Sequence, residues 1–429
     1  MSAITRIQGM QDLLPEDWRY WSYVIKTATE TAQSFGFEQI SVPVMEKHDL
    51  FVRGIGTSAD FFVQKEMYTI EESDGSLITL RPEFTAGVVR AYLNNGFSNR
   101  TQPMKVFMFG PIFRRERPQA GRFRQHSQFD CEIMGEVDPA TDVEVMMLAM
   151  TTYKKLGYQG LTFQMNSTGC RECRPAYIEK LRAYLNQHLD SLAPVDVERL
   201  GKNPLRVLDS KEKGMESILA NAPHLADNLC DDCEEHFGQV KSLLTALGQS
   251  YKINFRLVRG MDYYEKTVFE VWAQGIGAQA AVCGGGRYNL APEIGGHSVP
   301  CVGFGSGIER IILGMKEAGV EPPAQPYPKV MINHFGGDSK QAAHVLAFKL
   351  REAGIGALVA FARAKRSMKS QMREANKRAV EYVLILGGDE VANQTVNIRP
   401  MKSRDGSKRG GDQFNISQAD AIGWLQENL

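Results

Sequence analysis

The stretch LVRGMDYYEKTVFEVW, residues 257–272, joins a polar segment to one with the pattern of a buried strand. In its second half Val268 lies on one face of an extended chain and Phe269 and Val271 lie on the other, as expected for a strand inside a sheet. Its first half collects Arg259, two tyrosines and several further charged residues. Such a beginning fits either a solvated strand end or a substrate pocket held by the sheet, and the rest of the chain must decide.

The composition is that of a globular protein without a marked overall charge. The chain has 429 residues, of which 43% are hydrophobic and 23% charged, and this length predicts two or three domains. Lys+Arg and Asp+Glu are both 50, which excludes a global attraction to polyanions. Local clusters remain: residues 114–124 hold five Arg against one Glu, and residues 362–378 hold seven Lys or Arg against one Glu. Two separate basic segments are compatible with contacts to a nucleic acid at two places.

The N-terminal residues 1–21 lack the continuous apolar core of a signal peptide, and no run in the chain approaches the length that spans a membrane. We therefore expect a cytoplasmic protein with no membrane partner. In that reducing compartment the seven Cys do not predict a disulfide framework, and four of them instead raise the question of a metal site.

A proline-rich stretch, EAGVEPPAQPYPKV at 317–330, predicts a linker between two domains. Beyond it, short apolar segments alternate with helical ones, which predicts a small, mainly parallel α/β domain over 329–429. Before it, strand-like segments follow one another without this regularity, and they predict an α+β domain built on an antiparallel sheet over 1–325.

The larger domain is interrupted by a region without strand signals. Amphipathic helices dominate residues 167–248, which we interpret as a helical insertion, and the strand signals resume at NFRLVRGMDYY, residues 254–264. The strand-like segments before the insertion include FEQISVPVMEKHDLF at 37–51 and LITLRPEFTAGVVRAY at 77–92.

The segment FRRERPQAGRFRQHSQFDCEI, residues 113–133, has the pattern of two strands joined by an Arg-rich loop. Arg presents a planar fork of donors that holds phosphate oxygens in pairs, so the loop fits an anion site as well as it fits a solvated charged hairpin. Gln128 and Glu132 lie four residues apart on the second strand, and therefore on one face, among apolar neighbours. Polar acceptors in such surroundings usually have a specific partner, which favours a binding site.

Glycines are concentrated towards the end of the larger domain. CGGGRYN at 283–289 is followed by VGFGSGIERIIL at 302–313, which predicts a Gly-rich strand and then a strand running into a helix. Glycine lets a ligand approach the backbone closely, but neither segment fits the dinucleotide fingerprint or a Walker-type loop. Arg310 falls in the first turns of that helix, where an arginine can bind an anion or extend along apolar surface.

Six motifs in the chain occur in the order seen in histidyl-tRNA synthetases, which are class II aminoacyl-tRNA synthetases, and the resemblance covers essentially the whole chain. RPEFTAG and RGMDYY resemble signatures of the histidine enzymes, while the arginine hairpin and the GIER helix resemble the second and third motifs of the class. The resemblance implies a class II catalytic domain with an antiparallel sheet and a helical insertion, followed by an anticodon-binding domain. The six motifs are GMQDLLP, TLRPEFTAGVVRAY, GPIFRRERPQAGRFRQHSQFDCEIMG, LVRGMDYYEKTVFE, CGGGRY and VGFGSGIERIIL.

The resemblance implies ATP-dependent activation of histidine, in which the histidine carboxylate attacks the α-phosphorus of ATP and pyrophosphate leaves. Because two anions must meet, such a site needs arginines more than it needs a base. By resemblance, Arg114 and Arg259 act on the α-phosphate and are the catalytic residues. Arg310 is implied to bind the γ-phosphate, and Glu116 to bind the adenine or to join an arrangement with Mg²⁺.

The resemblance also implies a histidine pocket. Glu83 and Gln128 are implied to bind the α-ammonium group, Glu132 and Tyr264 to pair with the imidazole, and Tyr263 to line the pocket. A pocket that bonds both ring nitrogens leaves polar groups unpaired when phenylalanine or leucine binds, which gives discrimination of ~10⁴ without an editing domain.

For tRNA, the resemblance implies that Arg117 and Gln119 meet the acceptor end. The basic helix within 362–378 is implied to face the anticodon arm, although each of its lysines fits a solvated helix face equally well. The segment FGFEQISVPVMEKHDLF, residues 35–51, resembles the first motif of the class, in which the strand containing Pro43 joins two subunits. A homodimer is therefore implied.

Two CxxC pairs, Cys170 with Cys173 and Cys230 with Cys233, lie within the predicted insertion. Paired CxxC motifs are the usual way to supply four thiolates to Zn²⁺, and the long gap between the pairs is acceptable if helices intervene. The alternative is four thiols that bind nothing, since the catalysis implied by the resemblance needs no such site. Both interpretations stay open at this level.

Two other functions compete with the enzyme. A histidine-sensing regulatory subunit of a phosphoribosyltransferase is a non-catalytic relative, but such relatives usually lack both RGMDYY and the anticodon domain, which this chain has. An RNA-binding module with a decayed site is not expected to keep Arg114, Glu116, Arg259 and Arg310 together.

The chain also departs from the family pattern close to the implied pocket. Phe84 stands where the family commonly has Gly, and His126–Ser127 stands where it commonly has Phe-His. None of these positions is one of the implied arginines, so the departures bear on the shape of the pocket.

Overall fold

The computed structural model describes residues 3–55, 66–115, 123–259, 263–274, 281–361, 366–402 and 411–429. The chain divides into two compact units, Met1–Pro323 and Ala324–Leu429. The division falls inside the proline-rich stretch, where residues 321–329 form neither helix nor strand. Of the helices in the described ranges, none combines the length and the apolar character that crossing a bilayer requires.

The larger unit is built on an antiparallel sheet, as predicted. Its strands are β1 (Glu38–Gln39), β2 (Met45–Lys47), β3 (Tyr68–Glu71), β4 (Leu77–Leu80), β5 (Met104–Phe113), β6 (Gln125–Met134), β7 (Thr162–Ser167), β8 (Tyr251–Ile253), β9 (Tyr264–Trp272), β10 (Ala281–Tyr288) and β11 (Cys301–Gly307). Eight of them form one sheet in the order β1-β5-β6-β11-β10-β9-β7-β8, and β2-β4-β3 form a small second sheet. In the large sheet β1 is parallel to β5 and β7 to β8, while the pairs between β5 and β7 are antiparallel.

The helices of this unit cover the sheet or form the insertion. They are α1 (Trp18–Ser34), α2 (His48–Ile55), α3 (Thr85–Asn94), α4 (Pro139–Lys155), α5 (Arg174–Asn186), α6 (Pro194–Lys202), α7 (Glu216–Ala220), α8 (Asp231–Ala246) and α9 (Ile308–Glu317). The start of α4 is defined by Asp138, which accepts a hydrogen bond from the Ala140 N–H at 2.8 Å, and by Pro139 in the first turn. Together with α1, α8 and α9, this helix buries one face of the large sheet in the main core.

The stretch at 257–272 divides as its pattern predicts, but the strand begins late. Val268, Phe269 and Val271 are all fully buried in β9, so both faces of this strand are covered. The prediction that strand structure resumes at 254 is wrong, because the Leu257 N–H donates to the Asn254 carbonyl at 2.9 Å in a turn. Residues 254–259 are therefore not constrained by a sheet ladder and can bring side chains to the edge of a cleft.

Two strand-like segments near the N-terminus end in helices. In 77–92 the strand stops at Leu80, because Pro82 has no N–H for a ladder, and 85–94 forms α3 with Val88 and Tyr92 on its buried side. In 37–51 the strands are short, and the chain turns into α2 at His48. In both segments the alternating pattern of a strand covers only a few residues, and the residues after it form a helix.

A buried ion pair ties the sheet to its covering helices. Arg287, directly after the glycines of β10, is 2% exposed, and its Nε lies 3.0 Å from Asp142 Oδ2 on α4. His236 of α8 lies 3.4 Å from the other oxygen of the same carboxylate. Removing one member would leave a buried charge unpaired, so this cluster holds the Gly-rich strand against α4 and α8.

The predicted insertion is present between β7 and β8. Its helices α5–α7 enclose a hydrophobic core of their own, which contains Tyr177, Leu181, Leu200 and Leu219. The last helix of the insertion, α8, instead contributes Phe237 to the main core.

The smaller unit is the predicted α/β fold, with a mixed sheet. Its elements are β12 (Val330–His334), α10 (Ser339–Glu352), β13 (Ala357–Val359), α11 (Met368–Lys377), β14 (Tyr382–Leu386), α12 (Gly388–Ala392), β15 (Thr395–Pro400), β16 (Phe414–Ser417) and α13 (Asp420–Asn428). The strand order is β13-β12-β14-β15-β16, in which the first three strands are parallel and the last two antiparallel. The apolar strands β12 and β14 lie in the middle and are buried, as a central parallel pair should be.

Candidate active site

A cleft of about 420 Å³ opens over the large sheet of the larger unit. Its walls come from the turn after β4, the end of β5, strands β6 and β9–β11, and the first turn of α9. Seven residues that the sequence analysis selected meet in this cleft although they come from distant parts of the chain: Glu83, Arg114, Gln128, Arg259, Tyr263, Tyr264 and Arg310.

Three arginines reach the cleft from three different elements. Arg114 follows β5, and its Nε donates to the Pro82 carbonyl at 2.9 Å. Arg259 precedes β9, and its Nη2 donates to the Phe269 carbonyl at 2.5 Å. Arg310 lies in the first turn of α9. Guanidinium groups converging on one cleft form a wall suited to phosphate and carboxylate oxygens.

Gly284 makes room for Arg259. A Cβ at position 284 would overlap the Arg259 guanidinium group. The same guanidinium lies 3.9 Å from the Glu270 carboxylate, and its Cζ lies 6.0 Å from the centre of the Tyr264 ring. These neighbours hold the arginine across the face of β10. Arg259 can occupy this position only because residue 284 is a glycine.

Glu83 lies in the turn between β4 and α3. Its Oε1 accepts a hydrogen bond from the Ala86 N–H at 3.0 Å, while its Oε2 has no hydrogen-bond partner among the described residues. Burial raises the pKa of Glu83, and hydrogen bonds from Ala86 and Thr85 oppose this effect. A buried carboxylate oxygen without a partner is costly, so a small cation such as an ammonium group would complement it.

Glu132 lies behind the wall of the cleft, and it is not among the residues that line the described cavity. Its side chain is 2% exposed, Oε1 accepts from the Thr85 hydroxyl at 3.1 Å, and Oε2 accepts from the Tyr288 hydroxyl at 2.9 Å. Gly303 on β11 leaves the space for it, because a Cβ there would overlap the Glu132 carboxylate. Burial raises the pKa of Glu132 to about 8, against the effect of its two hydroxyl partners.

Two tyrosines, Tyr263 and Tyr264, line one side of the cleft, and Tyr288 packs behind them. The ring centres of Tyr263 and Tyr264 are 4.9 Å apart, and Tyr288 lies 5.4 Å from Tyr263. Burial raises the pKa of Tyr264 to about 12, although the charge of Arg259 lowers it. Both pocket tyrosines therefore keep their hydroxyl protons near neutral pH and can donate hydrogen bonds.

The cleft also contains polar residues that the sequence analysis missed, namely Thr85, Asp130 and Glu270. Asp130 is 5% exposed, and burial, reinforced by the nearby carboxylates, raises its pKa well above the ordinary value. It lies midway between Gln128 and Glu132 on the same face of β6, so the period of the strand was the signal that could have found it.

Of the three residues that depart from the family pattern, His126 lines the cleft and Phe84 and Ser127 do not. Phe84 is 1% exposed and packs beneath the guanidinium of Arg81 at 4.4 Å, in the core and away from the lining. His126 lines the cleft, whereas the Ser127 N–H donates to both oxygens of Glu309 at 2.9 and 3.0 Å. This link holds the first turn of α9, which carries Arg310.

Glu116, Arg117 and Gln119, which the sequence analysis assigns to ATP and to the tRNA acceptor end, lie outside the described residues. Of the basic segment 362–378, the structure describes 366–378. In this part a second cleft of about 860 Å³ runs along α11, and Glu374 at its centre pairs with Arg366 at 2.6 Å and Arg378 at 2.8 Å.

The two CxxC pairs meet in space. The Sγ atoms of Cys170, Cys173, Cys230 and Cys233 all lie within 4.8 Å of one another, although the pairs belong to opposite ends of the insertion. The three other cysteines, Cys131, Cys283 and Cys301, are buried in the strands, as predicted for core residues.

Comparisons with known proteins match the whole chain. The family model described as Histidyl-tRNA synthetase matches residues 9–311, and the one described as Anticodon binding domain matches residues 329–428. A histidine–tRNA ligase of Dehalococcoides mccartyi is 45% identical over 396 residues, covering 92% of this chain and 94% of the relative. One of Pelotomaculum thermopropionicum is 43% identical over 426 residues, covering 99% and 98%. The crystal structure of apo histidyl-tRNA synthetase from S. aureus aligns with a TM-score of 0.81 and 30% identity, covering 99% of this chain and 100% of that one.

Proposed function

The chain belongs to the histidyl-tRNA synthetase family, and from that premise we propose how its cleft activates histidine. It is a histidine–tRNA ligase, a class II aminoacyl-tRNA synthetase that attaches histidine to tRNA for protein synthesis. The residues that carry the reaction are the subject of the proposal. One observation supports it above others: three arginines and four of the five predicted histidine-binding residues line a single cleft.

In the first step an oxygen of the histidine carboxylate attacks the α-phosphorus of ATP. A new C–O–P linkage forms, the bond from the α-phosphorus to the bridging oxygen breaks, and pyrophosphate leaves with that electron pair. Arg114 and Arg259 bind the α-phosphate oxygens on which negative charge accumulates, and Arg259 is the electrophilic catalyst. Arg310 binds the γ-phosphate and thereby keeps ATP in the orientation for in-line attack.

Histidine is recognised by its ammonium group and its ring. The α-ammonium group donates to the unpartnered Oε2 of Glu83 and to the side-chain oxygen of Gln128. Tyr264 pairs with the imidazole from the wall of the cleft. Glu132, which lies behind that wall, accepts from the ring N–H with a lone pair that its bonds to Thr85 and Tyr288 leave free, and Thr85, which lines the cleft, holds this carboxyl group in place. Tyr263 supplies an apolar wall. The missed residue Asp130 adds a second acidic group on the ammonium side of β6.

Mg²⁺ accompanies ATP in the family's chemistry and neutralises phosphate charge. Glu116 is the residue proposed to join it, and the reaction steps above are assigned to the arginines. Zinc is proposed as a structural ion of the insertion, held by the four cysteines, and not as a reactant.

In the second step the terminal ribose hydroxyl of tRNA attacks the carbonyl carbon of histidyl-adenylate. The bond from that carbon to the phosphate oxygen breaks, AMP leaves, and the phosphate accepts the hydroxyl proton, so no further protein base is needed. We propose that Arg117 and Gln119 bind the acceptor end. The anticodon arm is proposed to bind along α11, where basic side chains line the second cleft.

A homodimer and a cytoplasmic location are also proposed. The small sheet and the residue between it and Pro43 expose apolar side chains: Val44 is 39% exposed, Met45 on β2 50% and Ile70 on β3 47%. Apolar residues grouped in this way support a subunit contact at the position implied by the first motif of the class.

Histidine-dependent exchange of pyrophosphate into ATP tests the proposed function. With purified protein and Mg²⁺ we expect rapid exchange with histidine and at least ~10⁴-fold less, as kcat/KM, with phenylalanine. Attachment of histidine to its tRNA should follow under the same conditions. Protein that binds histidine in calorimetry but shows no exchange would instead be a sensing subunit, and protein that binds tRNA alone would be an RNA-binding module.

The raised pKa of Glu132 predicts that histidine binds more tightly as the pH rises. The carboxyl group loses its proton as the pH rises through about 8, and a carboxylate accepts a hydrogen bond from an imidazole N–H better than the neutral acid does. We expect KM for histidine in the exchange reaction to fall about ten-fold between about pH 6.5 and 8.5. Glu132→Gln should flatten this profile because an amide does not titrate there, and a flat profile in the unmodified protein would refute the assignment.

A further inference from the structure

The four cysteines of the insertion have the geometry of a tetrahedral metal site. Cys170 Sγ lies 3.8 Å from Cys173 Sγ and 3.7 Å from Cys230 Sγ, and Cys173 Sγ lies 3.9 Å from Cys233 Sγ. Four Zn–S bonds of about 2.3 Å directed to the corners of a tetrahedron set neighbouring sulfurs about 3.8 Å apart. Three of the six sulfur–sulfur distances therefore match the edges of a zinc tetrathiolate, all six are within 4.8 Å, and all four residues are free thiols.

The backbone around the first pair is shaped for thiolates. The Cys170 N–H lies 3.2 Å from Cys173 Sγ, and the Glu172 N–H lies 3.4 Å from Cys170 Sγ, so amide donors point at sulfur. Gly169, just before this turn, has φ +63°, and a Cβ there would lie 2.8 Å from Cys173 Sγ. A turn that needs glycine and directs N–H groups at two sulfurs stabilises negative charge on them.

The cysteine turn is bonded directly to the strand that carries the tyrosines. The Lys266 N–H donates to the Gly169 carbonyl at 2.7 Å, and the Thr168 N–H donates to the Lys266 carbonyl at 2.7 Å. Lys266 has φ +53°, which is unusual for a residue with a side chain, and its Nζ pairs with Asp232 at 2.7 Å between the second two cysteines. Lys266 of β9 is therefore bonded to the chain beside both cysteine pairs.

Arg174 makes the second connection. It follows Cys173 directly, its Nε donates to the Thr168 carbonyl at 2.9 Å, and its Nη2 donates to the Tyr264 carbonyl. It also lines a small cavity together with Tyr264 and Arg259. The backbone of Tyr264 is therefore fixed from the cysteine site by a single side chain.

We infer that the four cysteines bind one zinc ion and that this ion, acting through Arg174 and Lys266, positions Tyr264 for histidine. The part of the inference that concerns histidine rests on the proposed function. Arg174 and Lys266 are positioning residues, since they touch the backbone of the pocket and not the substrate. The ion would couple the fold of the insertion mainly to the histidine side of the cleft, because Arg259 is also held by the Phe269 carbonyl and the Glu270 carboxylate.

Metal analysis of the full-length protein tests the site. Protein purified without chelator should contain one zinc ion per chain, and replacement by Co²⁺ should give the intense thiolate-to-metal absorption of a four-sulfur tetrahedral site. The double variant Cys230→Ser/Cys233→Ser should lose the ion. Cys301→Ser, which changes a buried cysteine outside the cluster, should keep it. Absence of stoichiometric zinc, or a cobalt spectrum with fewer than four thiolates, would overturn the site.

The coupling is tested by Arg174→Ala, which leaves all four ligands in place. We expect one zinc ion per chain, a KM for histidine raised about ten-fold, and a KM for ATP and a kcat within about two-fold of the unmodified protein. Arg182→Ala is a matched control on the same helix, since Arg182 bonds the Leu200 carbonyl within the insertion at 3.1 Å. It should leave all of these values unchanged.

An unaltered KM for histidine in Arg174→Ala would overturn the coupling. A lower kcat together with raised KM values for both histidine and ATP would indicate general disruption and would also overturn it. Exchange by the unmodified protein is measured first. If that protein shows no exchange, the proposed function fails; if it shows exchange but Arg174→Ala does not change the KM for histidine, the inferred coupling fails. Zinc content and the cobalt spectrum do not depend on activity.

Discussion

Replacing Arg259 by histidine should reduce histidine-dependent ATP–pyrophosphate exchange about 10³-fold while leaving histidine binding measurable by calorimetry. The reason lies in the place of this side chain. Arg259 is held by the Phe269 carbonyl, the Glu270 carboxylate and the ring of Tyr264, so its guanidinium is fixed in the lining of the cleft that Arg114 and Arg310 also line. An imidazole is shorter, lacks the fork of donors and is mostly neutral at pH 7, so it cannot follow the charge that develops on the α-phosphate.

The matched control for this substitution is Arg256→His, three residues earlier in the same stretch. Arg256 bonds the carbonyls of Leu208 at 3.2 Å and Ser210 at 2.9 Å in the insertion, and it does not line the cleft. It should retain most of the exchange activity. If Arg259→His lost histidine binding and exchange to the same degree, Arg259 would be a binding residue and the catalytic assignment would fail.

The second prediction concerns a residue without a side chain. Gly284→Ala should lower exchange about 10²-fold, because the added methyl group overlaps the Arg259 guanidinium and displaces it from the cleft. Histidine binding should change little, since Glu83 and Gln128 lie on other elements. Exchange kinetics and calorimetry on the same preparation measure both quantities, and a thermal unfolding curve checks that the sheet is intact.

Two further variants make this prediction specific. Gly307→Ala adds a methyl group to another glycine of the cleft, where the nearest atom is Arg310 Cβ at an ordinary 3.8 Å, and it should lose much less activity. The double variant Arg259→His/Gly284→Ala should be no worse than Arg259→His alone, because both changes remove the same interaction. An additive loss would mean that Gly284 acts on something other than Arg259.

The sequence predicted the parts of the fold that depend on local pattern. Strands with sustained alternation, such as β5, β6 and β9, and the strand that runs into α9 lie where the pattern predicts them. The segments 37–51 and 77–92 were predicted less well, because three or four alternating residues do not distinguish a strand end from the first turn of a helix.

The sequence predicted which residues belong to the candidate site. It did not predict which of them reach the cleft. The resemblance selected Glu132 and passed over Asp130, although both lie on one face of β6. Which of them reaches the cleft depends on what lies opposite: Gly303 faces Glu132, and Thr85 and Tyr288 take its oxygens, so this residue is enclosed. Those neighbours come from elements distant in sequence, and a pattern of period two carries no information about them.

The convergence of the cysteine pairs has a consequence for the engineering of the chain. Because Cys170 and Cys230 lie 3.7 Å apart, the polypeptide leaves the catalytic body and returns to it at nearly the same point. The part between them encloses its own hydrophobic core, whereas α8 after Cys230 belongs to the main core. Residues 175–229, which leave Arg174 in place, are therefore the part to shorten or replace if β7 and β8 are to keep their positions, and a smaller enzyme can be engineered by cutting there.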